Sequence, residues 1–73
     1  MNNKLFAERL NQALDEIDFP SLQDERIEAF AKLFDIPRFR SETVLKGQIL
    51  PDDPLLMDVA QELEVELEWL LGK

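Results

Sequence analysis

The side chains that most often drive catalysis are missing from this sequence, which has no histidine and no cysteine. The commonest general base and the best nucleophile are therefore absent, as is any Cys/His set for a transition metal. Sixteen carboxylates remain. None falls in a segment that reads as the wall of a deep pocket, and a 73-residue chain rarely encloses one. Neither an enzyme nor a cofactor nor a metal is expected. The other chemistry open to the chain is electrostatic. Its formal net charge is −8, but its basic residues are unevenly placed. Residues 26–46 hold Arg26, Lys32, Arg38, Arg40 and Lys46 against Glu28, Asp35 and Glu42, while the flanking segments carry thirteen acids and three bases. A local positive excess in an acidic chain suits a polyanion at one face, with the acids as a solvated surface elsewhere. On charge alone, ordinary solvated surface cations fit equally well.

Hydrophobic periodicity identifies the elements that must position these residues. Leu5, Phe6, Leu10, Ala13, Leu14 and Ile17 recur at spacings of three and four, the stripe of an amphipathic helix that Asn2 or Asn3 can cap. Phe19-Pro20 ends it, because a residue before proline is pushed out of the helical region. A second helix over about 25–34 follows Asp24 as cap and buries Ile27, Phe30, Ala31 and Phe34. A third, over about 37–46, ends at Gly47, which suits a left-handed C-cap. Asp53-Pro54 starts a fourth, with Leu55, Leu56, Val59, Ala60 and Leu63 as its stripe. Val65, Leu67, Trp69, Leu70 and Leu71 form a short fifth. Nothing reads as a strand, a repeat or a linker, so one all-α domain spans residues 1–73. No apolar run approaches 18 residues, and Met1-Asn-Asn-Lys4 lacks the apolar segment of a signal peptide. A cytoplasmic protein without a membrane partner is expected.

Several runs in this order carry a resemblance. Glu28-Ala-Phe-Ala-Lys-Leu-Phe-Asp-Ile-Pro37, then Val44-Leu-Lys-Gly47 and Leu50-Pro51, and the closing Leu63-Glu-Val-Glu-Leu-Glu-Trp-Leu-Leu-Gly72 resemble the lambda-repressor-like (Xre-type) helix-turn-helix family. Phe6-Ala-Glu-Arg-Leu-Asn-Gln-Ala-Leu-Asp-Glu-Ile17 is similar to the first helix of phage repressors and their bacterial relatives. The likeness spans Phe6 to Gly72. It implies a compact five-helix domain and a sequence-specific, repressor-like regulator that binds duplex DNA as a homodimer, bacterial or phage-encoded, its third helix in the major groove.

Carried over by position, the resemblance places Arg38, Phe39, Glu42 and Thr43 toward the bases, and Arg26, Arg40, Lys46 and Gln48 toward phosphates. Arg38 can give two donors to a guanine, Phe39 can press on thymine methyls, and Thr43 offers a hydroxyl or a methyl. Glu42 can accept from cytosine or pair with Arg38. Ser41 and Leu45 are expected to face the core. Leu67 and Leu71 are the candidate dimer contact, since the last helix holds more apolar surface than its own core requires. Three positions depart from the family pattern: Ile27 replaces a glutamine, Asp35 a glycine in the turn, and Pro37 a capping Ser or Thr. With Pro37 there, the third helix starts at that point or late, with Ser41 as its cap. The alternative function is an acidic interaction module of the same fold, antitoxin-like or binding another DNA-binding protein, with weak or no DNA binding of its own. Its fourth and fifth helices would engage a basic protein partner.

Overall fold

A computed structural model describes residues 3–72. Among them the chain forms five helices and no strand: α1 (Asn3–Glu16), α2 (Gln23–Phe34), α3 (Arg38–Leu45), α4 (Asp53–Leu63) and α5 (Leu67–Leu70). They pack into a body of 29 × 22 × 19 Å with one apolar centre. Phe6, Leu10 and Leu14 of α1, Phe30 of α2, Val44 of α3, Val59 of α4 and Leu70 of α5 are all fully buried. Side chains of this size each contribute about 1.5–3 kcal/mol when taken out of water, so the spacing-three-and-four stripes are the main reason these helices exist as a unit. No described helix is long and apolar enough to cross a membrane.

The helix ends explain how so short a chain turns four times. At α1, α2 and α4 the turn residue is a left-handed acid: Asp18 (φ 58°), Asp35 (φ 54°) and Glu64 (φ 54°). Gly47 (φ 74°) does the same after α3. In each case the next N–H, from Phe19, Ile36, Gln48 or Val65, bonds the carbonyl five residues back. That bond satisfies an end carbonyl and reverses the chain. Phe19, Ile36 and Val65 then dock on the core as half-buried side chains. Gly47 meets a second requirement, because a Cβ there would lie 3.1 Å from the Ala7 Cβ and 3.2 Å from the Asn3 carbonyl. The end of α3 is thereby held close against α1.

Several boundaries differ from those the sequence predicts. The α1 helix ends at Glu16, before the proline acts, so Ile17 leaves the stripe and is half exposed. The start of α2 lies at Gln23 with Leu22 as an N-cap that offers no side-chain bond; Asp24 sits inside the first turn. The α4 cap is Asp52, whose carboxylate accepts from the Leu55 N–H, and Pro54 is second in the helix. Asn3 is helical, and the expectation for Asn2 lies outside the described residues. At α5, Leu70 is buried, and Leu67, Trp69 and Leu71 are half-buried against the core. The large, openly exposed apolar side chains lie elsewhere: Ile17, Leu22, Leu33, Phe39, Ile49 and Met57. The apolar surplus expected of the last helix is therefore smaller than its composition suggests.

Candidate nucleic-acid interface

The position of α3 is fixed from its inner side. Ser41 is fully buried and donates its hydroxyl to the Ile27 carbonyl at 2.7 Å, while Val44 and Leu45 enter the core. A small residue at 41 lets α3 approach α2 closely, and a buried hydroxyl is tolerated there only because it is bonded. The Ser41 N–H bonds the Pro37 carbonyl, so Ser41 lies within the helix and does not cap it. Pro37 itself is the N-cap, in extended geometry, and lends no side-chain bond to the first turn. The helix therefore starts early, and its first full turn carries Arg38, Phe39 and Arg40.

With Ser41, Val44 and Leu45 turned inward, Phe39 lies on the opposite face of the helix. Phe39 is 76% exposed, the most open large apolar side chain among the described residues. Arg38 is exposed beside it. Glu42 and Thr43 follow one turn later, both half-buried. The Thr43 hydroxyl donates back to the Arg40 carbonyl at 2.8 Å, which leaves its oxygen as an acceptor. Gln48 is exposed in the turn after α3, its backbone N–H holding that turn closed.

Every cation on this helix faces a carboxylate. Arg38 reaches Asp24 of α2 at 3.5 Å, Arg40 reaches Asp52 at the start of α4 at 2.9 Å, and Lys46 reaches Glu42 at 2.7 Å. The expected Arg38–Glu42 pair gives way to Glu42–Lys46, because a glutamate four residues before a lysine is the better helical orientation. The Lys46 ammonium, bonded to Glu42, lowers that carboxyl below its usual range, with Arg38 adding a smaller effect. The bond from Arg40, with the Leu55 N–H, lowers Asp52 in the same way.

Arg26 requires a correction. It is buried in the junction of α1 and α2, not aimed at a phosphate. Its guanidinium donates to the Pro20 carbonyl at 2.7 Å and to the Asn11 side-chain oxygen at 3.0 Å, and it pairs with Asp15. Asn11 in turn donates to the carbonyls of Ala7 and Leu45, joining α1 to the end of α3. An arginine with its donors engaged on three sides is a strut. Asp15 lies eleven residues from Arg26, and nothing local in the sequence signals the pairing. The same holds for Asp24 and Asp52, whose approach to α3 spans fourteen and twelve residues. Their acidity was visible, but their placement depends on how α2 and α4 dock.

Among the described residues no group of three acids converges in a way that could hold a metal ion. No family model, curated protein or solved structure matches the chain.

Proposed function

We propose that α2, its turn and α3 act as a helix-turn-helix of the lambda-repressor-like kind, and that the protein is a sequence-specific duplex-DNA-binding regulator reading the major groove with α3. The observation that carries this reading is Phe39, an aromatic ring left 76% in water between two arginines on the outer face of a short helix. The core makes little use of that ring, whereas thymine methyls in a major groove are an apolar surface it can cover. Arg38, beside it, supplies the bidentate donor that guanine recognition requires, worth about 1–3 kcal/mol of discrimination. Arg40 in the first turn, and Lys46 and Gln48 after the end of α3, are the groups assigned to phosphates. A homodimer, with half-sites about one helical turn apart, belongs to this proposal. The outer edges of Leu67 and Leu71 are its contact, Leu70 being committed to the core.

One feature favours the second reading, a basic protein partner. Leu33, Phe34, Asp35, Asp58, Gln61 and Glu62 line a groove. It lies between α2 and α4, the latter being one of the two helices on which that reading places its acidic working surface.

Selection of bound duplexes from a random pool at low salt tests the proposal, with Arg38→Ala run in parallel. One half-site enriched by the unmutated protein and lost in the variant is the expected result. If the unmutated protein enriches no sequence, duplex reading by α3 is wrong.

A further inference from the structure

The three ion pairs around α3 do more than neutralise it. We infer that Asp24, Glu42 and Asp52 are specificity-determining guards, which weaken what Arg38, Arg40 and Lys46 gain from phosphates in general while leaving Arg38 able to read a base. This rests on the proposed DNA reading. Two of the three carboxylates come from outside α3, one from the first turn of α2 and one from the cap of α4, so they flank the helix from different elements. The third, Glu42, lies on α3 itself and holds Lys46.

A phosphate anywhere on a duplex offers Arg38, Arg40 or Lys46 only an exchange of one exposed anionic partner for another. That exchange also leaves a carboxylate unpaired against a polyanion. Non-specific affinity arises almost wholly from cations that neutralise phosphates and release counterions, so each guard weakens one such contact. A base edge is a different target. Arg38 touches Asp24 through a single terminal nitrogen, and its remaining N–H groups are free to meet a guanine without releasing the acid. Phe39 carries no charge and is unaffected. The start of α2 acts in the same direction: Asp24 and Glu25 occupy its first turn, where its dipole would otherwise attract phosphate. The outcome is a face that gains little from DNA as such and more from the correct sequence.

The test uses Asp24→Asn/Glu42→Gln/Asp52→Asn, which removes the three charges but keeps shape; asparagine also retains the capping of α4. Binding to a random-sequence duplex is measured across salt for this variant and the unmutated protein. Three cations returned to phosphate steepen the salt dependence by up to about 2.7 in logarithmic slope. Between about 50 and 200 mM salt the variant should therefore lose more affinity than the unmutated protein, by up to about 40-fold, starting from tighter binding. Its preference for a selected duplex over the random one should shrink through Arg38, the base-facing cation of the three, since Arg40 and Lys46 meet phosphates on either duplex. Asp24→Asn alone alters only an exposed side chain and serves if the triple variant does not fold, with up to about 3.5-fold expected over the same range. Equal affinity and equal slope on the random duplex overturn the inference, even if the unmutated protein selects a site and the DNA reading stands. Tighter random binding with no sequence enriched by either protein overturns both, since a guard without a site to protect confers no specificity.

Discussion

Arg26 and Arg38 are both arginines paired with aspartates, and the two regions they occupy put them to opposite uses. At the junction of α1 and α2, Arg26 is buried and engages Pro20, Asn11 and Asp15 together. On α3, Arg38 stands in solvent with one long contact to Asp24. The difference lies in what each pair would lose if opened. Removing Arg26 strands the polar groups of Asn11 and Pro20, whereas removing Arg38 exposes nothing that water cannot satisfy. A buried, multiply bonded guanidinium is architecture, and an exposed, singly bonded one is available for a ligand.

The sharpest way to break this comparison is Arg26→Ala. Loss of several hydrogen bonds to a charged group in a part-buried site should cost about 2–3 kcal/mol. That corresponds to a thermal midpoint lower by about 10–20 °C for a domain of this size, measured by circular dichroism. A midpoint unchanged within a few degrees would show that the junction does not depend on Arg26. Next in size, Arg38→Ala and Phe39→Ala should each weaken binding to a selected duplex by about tenfold or more. Their melting curves should overlay that of the unmutated protein. A stability loss in Phe39→Ala comparable to that of a core deletion would mean the ring packs against the fold.

Smaller effects concern the turns. Glu64 holds a left-handed conformation at the end of α4, and a longer side chain is poorly suited to it. Glu64→Gly should raise stability by about 1 kcal/mol, by relieving that strain and removing a negative charge from the negative end of a helix. A lower midpoint would contradict this. The smallest effect follows from pH. Glu42 and Asp52 have carboxyls lowered by Lys46 and Arg40, so the folded state binds their protons less readily than the unfolded chain. Their contribution is present above the ordinary carboxylate range and is lost as pH falls through their lowered values. Glu42→Gln with Asp52→Asn should flatten the acid side of the stability profile. An unaltered profile would show that the two pairs do not contribute.

Much of the helical structure was legible from spacing, because Phe6, Leu10, Leu14, Phe30, Val59 and Leu63 recur in stripes that mark the buried face of each helix. Pro54 and Gly47 marked boundaries through their backbone chemistry. The ends of α2 and α4 fell where the apolar stripes stop, at Phe34 and Leu63, but the left-handed turns at Asp18, Asp35 and Glu64 were not legible, since an acid in that conformation has no local signature. Ile17 was misplaced for that reason. The outward position of Phe39 on α3 was readable once the resemblance turned Ser41 and Leu45 toward the core. The burial of Arg26 and the approach of Asp24 and Asp52 were not, because each depends on contacts between elements that local pattern does not encode.

Competition anisotropy with a labelled selected duplex measures whether α3 reads sequence. Unlabelled random duplex should compete about a thousandfold more weakly than unlabelled selected duplex. The gap should narrow in Arg38→Ala and persist in Lys32→Ala, an exposed charge change on α2 outside the proposed contacts. Equal competition by the two duplexes, or equal losses in both variants, would contradict base reading by α3.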